Sequence, residues 1–462
     1  MTQSERHLRP GAAPKGRSIS SRSARSRPAR GSTAGSPPTP GTAALRIRQV
    51  AQVLPELLSW DWPADAVLSR WFRAHPEAGS RDRAQIAEAV YDILRHLRRY
   101  RHWAQSGQGT EERRLALMGL AATQPRAQLD PGLQAGEGAW LDHLQAVDPA
   151  SLPRAVRYSL PDWLDTRLAE LPGVLSLLDA LHQPAPLDVR VNPLKADRDA
   201  MLAAWTAGPE ARWSPVPTPH SPWGIRLQGR PPVQRWRSFE QGEIEVQDEG
   251  SQLLSMLVAP RRGEMVIDYC AGAGGKTLLL GALMRSTGRL YAFDVSASRL
   301  ARAKPRFARS GLSNITPVVI AAERDKRVQR LYGKAHRVLV DAPCSGLGTL
   351  RRNPDLKWRQ TPTTLLALQQ TQAALLQEAA RCLRPGGRLV YATCSILPEE
   401  NEQQIDAFLA RVPGFSLLDA ADVLAGQKIE LPMQDAFLRL RPDEHGTDGF
   451  FAAVLQKASK AS

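Results

Sequence analysis

Two cysteines that are each followed by a serine are the residues of this sequence best suited to covalent chemistry. Cys344 lies in "DAPCSG" and Cys394 in "YATCSI", and each comes after an apolar run typical of a buried strand. A thiolate is a strong nucleophile, and a thiol at a strand end is partly exposed to a cleft. Either cysteine alone also fits a small buried hydrophobic residue. The repeated placement favours a pair of reactive thiols that share one cleft.

A glycine-rich turn, "DYCAGAGGKT", follows another apolar run and precedes a helical pattern. Gly272, Gly274 and Gly275 let the backbone approach a ligand at a helix N-terminus. Asp294 follows about 20 residues later, the spacing at which a carboxylate binds ribose hydroxyls. This combination favours a nucleoside-containing cofactor over a tight strand-to-helix connection. A triphosphate-binding loop is disfavoured, because Cys270 stands where that motif needs glycine.

Two charged residues are predicted at the same edge of the structure. Asp341 ends the apolar run before Cys344, and Lys276 follows the glycine turn. A carboxyl group there could serve as an acid, whereas an ammonium group could hold a phosphate or help to lower the pKa of a thiol. The other two cysteines, Cys270 and Cys382, are interpreted as packing residues without a bond-making role.

Methylation of a pyrimidine at carbon 5 is a reaction that would use these groups together. That carbon is too weak a nucleophile to attack a sulfonium methyl group, so a thiolate first adds to carbon 6 and converts the ring to an enamine. An acid near ring N3 favours the addition, and a base must remove the carbon 5 proton before the thiolate leaves. Asp341 is placed for the acid. The residues alone leave open which cysteine attacks.

The elements that must position these residues belong to an α/β, Rossmann-like domain over residues 236–458. Short apolar runs there alternate with helical patterns, as in a mostly parallel sheet wound with helices, whose ligands bind at the carboxyl ends of the strands. The late segments 415–420 and 450–456 could complete the sheet in an order that the sequence leaves open. Strands are predicted at 264–270, 289–295, 315–320, 336–342 and 387–394, and helices near 275–286, 297–309, 363–384 and 399–411.

Three further regions precede that domain. Residues 151–235, rich in Pro and Trp, predict a connecting RNA-binding subdomain, and residues 46–150 show the apolar spacing of a small all-helical domain. Within "RDRAQIAEAVYDILRHLRRY" one helix face is apolar, with Ile86, Val90, Ile93 and Leu94. The opposite face is basic and fits either an RNA contact or a solvated surface. Its basic residues are Arg95, Arg98, Arg99 and Arg101.

Residues 1–45 are predicted to be a disordered basic tail. Ser, Arg, Pro, Gly and Ala dominate the segment, which is too poor in bulky apolar residues to fold. Such a tail adds salt-sensitive attraction to phosphates, and an organellar transit peptide is the alternative. Against the single acid Glu5 it carries eight basic residues, Arg6, Arg9, Lys15, Arg17, Arg22, Arg25, Arg27 and Arg30.

The overall composition favours a cytoplasmic protein that binds nucleic acid. Among 462 residues, 61 Lys and Arg outweigh 46 Asp and Glu, and the resulting net charge of +15 favours a polyanionic partner. No apolar run reaches the length of about 18 residues that a membrane span needs, and no secretory signal is evident. The four cysteines form no Cys-x-x-Cys pair, so we expect no metal. A nicotinamide-dependent oxidoreductase would leave the thiols and the basic charge unexplained.

The motifs "DYCAGAGGKT", "DAPCSGLGTLRRNPDLKW" and "LVYATCSILPEEN" resemble the Sun/Fmu family of RNA (cytosine-5) methyltransferases over about residues 236–456. The resemblance implies S-adenosylmethionine as cofactor. In that family the Thr-Cys-Ser cysteine attacks carbon 6 and the Pro-Cys-Ser cysteine assists release, which implies these roles for Cys394 and Cys344. It also implies cofactor or base contacts by Cys270, Ala271, Gly272, Ala273, Gly274, Gly275, Lys276, Asp294 and Asp341.

The same resemblance leaves several points open. The family has an Asp after the third strand at the adenine end of the cofactor, whereas this sequence reads "IAAERDKR". Asp325 matches the residue type and is preferred, and Glu323 fits the spacing better. Residues 46–150 resemble a NusB-like RNA-binding domain, which favours 16S-type ribosomal RNA as substrate. A monomer is the expected working state for the architecture as a whole. A transfer RNA substrate, or a catalytically silent ribosome-assembly factor, is the alternative.

Overall fold

The computed structural model describes residues 40–459. The predicted basic tail therefore lies outside the described residues, apart from residues 40–45, which belong to the first helix. Ala43 of that helix is buried, and its backbone lies so close to Gly132 that a Cβ on this glycine would clash with it. Packing against a distant turn, which the sequence pattern does not reveal, thus starts the helix before the predicted boundary.

The N-terminal region is all-helical, as predicted. Its core joins residues of several helices, among them the predicted apolar face of α3, whose four residues are all buried. The helices of this region and of the segment after it are α1 (Pro40–Leu57), α2 (Ala64–Ala74), α3 (Ser80–Ala104), α4 (Glu111–Thr123), α5 (Arg126–Leu129), α6 (Glu137–Gln145), α7 (Arg154–Arg157), α8 (Asp162–Leu168) and α9 (Val174–Leu181).

The basic face of α3 lies largely against other parts of the protein. Arg95 is buried, and its Nη2 donates to the carbonyl of Arg351 at 2.9 Å. Arg98 donates to the carbonyl of Leu160 at 2.7 Å, and Arg101 is exposed. This face was predicted to contact RNA or to be solvated. Part of it instead joins the helical region to the C-terminal domain, through the hydrogen bond from Arg95 to Arg351.

A small antiparallel sheet follows α9. Its strand order is β2-β3-β1-β4, and β1 consists of the run "LDVRV". The sheet continues to Val246, beyond the predicted boundary at 235, because β4 pairs with β1. Its elements are β1 (Leu187–Val191), α10 (Arg198–Ala207), β2 (Val216–Pro217), β3 (Gly224–Leu227), α11 (Arg237–Glu240) and β4 (Ile244–Val246).

The C-terminal domain is built on an eight-stranded sheet. Seven strands lie in the order β10-β12-β9-β8-β5-β6-β7, and β11 pairs with β12. Strands β5 to β9 are parallel, whereas β12 runs antiparallel to its neighbours. The strands are β5 (Met265–Asp268), β6 (Arg289–Asp294), β7 (Ile315–Val319), β8 (Ala335–Asp341), β9 (Leu383–Thr393), β10 (Phe415–Leu418), β11 (Leu438–Leu440) and β12 (Phe450–Lys457).

Helices cover both faces of the centre of this sheet, which explains why β5 and the ends of β6, β8 and β9 are largely apolar. Ile267 of β5 packs into one core layer and its neighbour Val266 into the other. The predicted α/β, Rossmann-like fold class is thus confirmed. The helices are α12 (Glu249–Leu257), α13 (Gly275–Leu283), α14 (Ala297–Ser310), α15 (Lys326–Gln329), α16 (Leu356–Arg359), α17 (Pro362–Cys382), α18 (Glu402–Arg411), α19 (Ala420–Ala425) and α20 (Pro442–His445).

Residues 40–459 contain neither a membrane-spanning helix nor a metal-binding cluster. Within that range no helix combines the length and the apolar character that crossing a bilayer needs. The same residues contain no group of three or more His, Cys, Asp or Glu side chains arranged to hold a metal ion.

Candidate active site

The site lies at the switch point of the sheet. From β5 the chain moves to β6 and β7 on one side and then returns to β8 on the other, which opens a cleft at the carboxyl ends of β5 and β8. The strand ends at Asp268, Asp294, Asp341 and Thr393 all border this edge. The predicted cofactor and thiol segments therefore meet in one place.

The glycine turn after β5 is a tight loop that only small residues allow. Gly272 and Gly274 have positive φ angles of 56° and 81°. A Cβ on Gly274 would lie 2.4 Å from the ring of Phe307, whereas a Cβ on Gly272 would meet no atom within 4 Å. The amide of Ala271 donates to the carbonyl of Phe293 at 2.8 Å, which ties the loop to the end of β6. The loop thus packs on one side and is open on the other.

Asp294 lies directly against this loop. Its carboxylate accepts the backbone N–H of Gly272 at 2.8 Å and that of Ser296 at 2.7 Å. The side chain is only 3% exposed, so these two bonds fix its orientation. Asp294, the acid predicted to bind ribose hydroxyls, is therefore hydrogen bonded directly to the glycine loop.

The remaining predicted loop residues lie around the start of α13. Gly275 begins that helix, and its carbonyl accepts a hydrogen bond from Nη1 of Arg190 at 2.9 Å. Arg190 comes from the small sheet, and burial lowers its pKa to about 10. The carbonyl of Ala273 accepts one from Nη1 of Arg306 at 2.5 Å. Burial, followed by the charge of nearby carboxylates, raises the pKa of Cys270 well above its usual value, which fits a packing role.

The two candidate acids after the third strand have different surroundings. Asp325, the preferred candidate, caps α15: its carboxylate accepts N–H groups of Ala321 at 2.9 Å and of Arg327 at 2.8 Å. Hydrogen bonds from Arg327, then from the Ala321 amide, lower the pKa of Asp325. The carboxylate of Glu323 makes no hydrogen bond or ion pair with any described residue, and its carbonyl accepts the hydroxyl of Tyr269. Glu323 is therefore the acid left free to meet a ligand.

The two predicted thiols are in contact. The Sγ atoms of Cys344 and Cys394 lie 3.3 Å apart, and the amide of Cys394 donates to Sγ of Cys344 at 3.3 Å. The hydrogen bond with Cys394, followed by burial, raises the pKa of Cys344 well above its usual value. In the contact between the two sulfur atoms, either thiol can act as the donor. Cys382, by contrast, is fully buried in the core.

Lys276 and Asp341 form an ion pair beside these thiols. Nζ of Lys276 donates to Oδ2 of Asp341 at 2.8 Å. Burial alone would lower the pKa of Lys276, but Asp341 and, to a smaller extent, Cys394 raise it overall. Lys276 is therefore a cation whose charge interacts with that of Cys394.

Two buried carboxyl groups at the site were not singled out from the sequence. Asp268 accepts a hydrogen bond from Oγ1 of Thr277 at 2.7 Å, and burial raises its pKa to about 7 against the effect of that bond. Glu400 accepts hydrogen bonds from Ser345 and Ser395, the residues that follow the two cysteines. In the sequence, Asp268 and Glu400 are single acidic residues close to a motif. Nothing in that pattern indicates that their carboxyl groups are buried.

The order of strands, with the antiparallel β12 beside β9, is that of the Rossmann-like methyltransferases, whose cofactor is S-adenosylmethionine. The described residues fit this cofactor, because the carboxylate of Asp294 adjoins the open side of the loop at Gly272.

Comparison with known proteins identifies the family. Residues 255–456 match the model described as 16S rRNA methyltransferase RsmB/F, and residues 160–234 match the ferredoxin-like domain of RsmF/B-like methyltransferases. The ribosomal RNA small subunit methyltransferase B of Sodalis glossinidius is 37% identical over 327 residues, 70% of this chain and 72% of that protein. The probable methyltransferase of that name from Synechocystis is 34% identical over 316 residues, 68% and 70% of the two chains.

A solved structure agrees with these matches. The protein PH0851 superposes with a TM-score of 0.72 at 26% identity, covering 91% of this chain and 99% of that one. The chain belongs to the RsmB/F (Sun/Fmu) family of RNA methyltransferases, and the predicted resemblance is confirmed.

Proposed function

We propose that this enzyme transfers a methyl group from S-adenosylmethionine to carbon 5 of a cytosine in 16S-type ribosomal RNA. The observation that carries the proposal is the contact between two thiols, 3.3 Å apart, at the end of the cofactor cleft. A second thiol against the first serves no purpose in direct methyl transfer, but it has a role where a covalent bond to the base must form and then break. The family model and the names of both relatives support ribosomal RNA.

In this proposal Cys394 is the nucleophile. Cys344 holds its proton and donates to the neighbouring sulfur, and the Lys276 ammonium attracts a negative charge there. Both effects stabilise a thiolate on Cys394, which adds to carbon 6 of the cytosine. Asp341 is the carboxyl group assigned to ring N3. Because it pairs with Lys276 as a carboxylate, it must first take up a proton from solvent, which it then donates to N3 as the thiolate adds.

The glycine loop would hold the cofactor, with Asp294 at the ribose hydroxyls and Glu323 at the adenine end. The bound cofactor supplies an electrophilic methyl group to carbon 5. The loop carries an open side at Gly272, next to the carboxylate of Asp294. With these roles, the base and the methyl donor would lie on the same edge of the sheet.

Release of the product requires the bond between Cys394 and carbon 6 to break. Once a water molecule of the cleft has taken up the carbon 5 proton, the electron pair of that C–H bond forms the double bond between carbons 5 and 6. The electron pair of the carbon 6–sulfur bond leaves with Cys394 as a thiolate, and N3 returns its proton to Asp341. A hydrogen bond from the Cys344 thiol, 3.3 Å away, stabilises that leaving group. This role explains why the site holds a second cysteine that assists release and does not itself attack the base.

The test supplies methyl-labelled S-adenosylmethionine together with 16S ribosomal RNA or with transfer RNA. The intact enzyme should place label in 5-methylcytosine of the ribosomal RNA, and Cys394→Ala should place none. Label in transfer RNA alone would overturn the substrate, and label in another base would overturn the chemistry. An absence of label in either RNA would favour the assembly factor.

A further inference from the structure

Glu400 is a buried acid that the mechanism above does not use. Its side chain is 0% exposed, and none of the described Lys, Arg or His residues pairs with it. A buried carboxylate without a cation is costly unless several hydrogen bonds compensate it. Glu400 accepts four, from the amide of Ser345 at 2.8 Å, the hydroxyls of Ser345 and Ser395 at 2.5 Å each, and Nε2 of Gln372 at 3.0 Å.

The partners of this carboxylate connect it to both thiols. Ser345 directly follows Cys344, and Ser395 directly follows Cys394. The two serine hydroxyls lie 3.2 Å apart, and both donate to Oε2 of Glu400. One carboxylate group therefore fixes the residue next to each reacting sulfur.

The turn that carries Glu400 is itself anchored to β9. The hydroxyl of Tyr391 donates to the Glu400 carbonyl at 2.6 Å. The next residue, Asn401, accepts the hydroxyl of Thr393 at 2.6 Å and donates to the carbonyl of Ser395 at 3.1 Å. The backbone on either side of Cys394 is thus held by this turn.

We propose that Glu400 is a positioning residue, which holds the Cys344 and Cys394 segments so that their sulfur atoms stay in contact. The inference rests on the proposed function, because the covalent step is what makes that separation matter. A reacting group displaced by about 1 Å loses roughly 100-fold in rate. Glu400 acts through the serines and does not touch the substrate.

A measurement of the sulfur separation tests this without relying on catalysis. Dibromobimane bridges two nearby thiols, since each thiolate displaces one bromide, and peptide mapping identifies the pair that is linked. The intact protein should form the link between Cys344 and Cys394 readily. Glu400→Ala should form it about tenfold more slowly, and it should lower kcat for methyl transfer by about 10- to 100-fold with the KM for S-adenosylmethionine unchanged.

Two variants control this experiment. Glu378→Ala removes a buried acid of α17, which binds Arg324 and Tyr332 instead of the thiol segments, and it should cross-link at the rate of the intact protein. The double variant Ser345→Ala/Ser395→Ala removes the hydroxyl donors and should reproduce the slower cross-linking, which decides the matter if Glu400→Ala fails to fold. Cross-linking and turnover at the intact rate in both site variants would overturn the proposal. If the intact enzyme methylates no RNA, the proposed function fails, and the cross-linking rates still decide the role of Glu400.

Discussion

The two sulfur atoms at the site have different surroundings although both follow strand ends. Cys344 is half-buried, and its hydrogen bond with Cys394 and the loss of solvent raise its pKa, which suits a donor. Cys394 lies near the ammonium of Lys276, which suits a thiolate. Their sequence contexts are nearly alike, so the roles are proposed from the family resemblance together with the contacts of the folded chain.

The lysine supplies the first prediction at the scale of single residues. Lys276→Gln removes the positive charge beside the thiols while keeping a polar side chain of similar length. We expect iodoacetamide to alkylate Cys394 roughly tenfold more slowly near neutral pH, because the thiolate loses about 1.4 kcal/mol of attraction to a nearby cation. Mass spectrometry of the Cys394 peptide measures the rate.

A matched control comes from another lysine. Lys304 is exposed on α14, and Lys304→Gln should alkylate at the rate of the intact protein. An unchanged rate in Lys276→Gln would mean that this ammonium does not support the thiolate.

At the scale of elements, the sequence predicted the parallel strands well. The runs that form β5, β6, β7 and β8 are largely apolar, because both faces of the sheet are covered, and each strand ends within two residues of its predicted end. The short β4 and β11 were not predicted. Three residues carry too little pattern, and their strand pairing depends on partners elsewhere in the chain.

The residues of the candidate site that lie within a short sequence motif could be predicted from the sequence. The thiols, Lys276 and Asp341 each stand in a recognisable run at a strand end. Residue type favoured Asp325 over Glu323, and the capping bonds of Asp325 exist only once α15 forms. Glu400 carries no comparable signal, because its partners lie up to 55 residues away in the chain.

The end of β5 yields a prediction about stability. Burial raises the pKa of Asp268 from its usual 3.8 to about 7. Between pH 3.8 and about 7, the carboxyl group of Asp268 is ionised in the unfolded chain but protonated in the folded protein. Its stabilising contribution to folding is therefore complete below pH 3.8 and is lost as the pH rises through about 7. Asp268→Asn keeps a partner for Thr277 and removes the titration.

Chemical unfolding of both proteins across that pH range measures the effect. The free energy of unfolding of the intact protein should fall relative to that of Asp268→Asn, by up to about 1.4 kcal/mol per pH unit. A constant difference between the two curves would contradict the raised pKa.

At the scale of the whole molecule, the helical region is joined to the C-terminal domain by hydrogen bonds from side chains of α16. Nζ of Lys357 donates to the carbonyl of Arg95 at 2.7 Å, and burial lowers the pKa of this lysine well below its usual value. Trp358 donates from Nε1 to the carbonyl of Leu94 at 3.2 Å. These bonds span more than 250 positions of sequence, which is why periodicity suggested an RNA-facing or solvated helix instead.

The basic tail supplies the prediction at this scale. Deletion of residues 1–39 removes its eight Lys and Arg residues and leaves α1 intact. The salt dependence of RNA binding should weaken, with the slope of log K against log salt falling by about 0.7 to 0.9 for each phosphate that the tail neutralises in the intact protein. Turnover at saturating RNA should persist. Binding titrations at several salt concentrations measure the slope, and an unchanged slope would show that the tail does not touch the RNA.

The central claim is that Cys394 attacks the base and Cys344 assists its release. The most direct measurement is the amount of protein–RNA adduct that survives denaturation after incubation with S-adenosylmethionine and ribosomal RNA. Cys344→Ala should accumulate this adduct, because the leaving thiolate no longer has its hydrogen-bond donor, and Cys394→Ala should form none. An adduct that accumulates in Cys394→Ala and not in Cys344→Ala would contradict the claim by reversing the two roles.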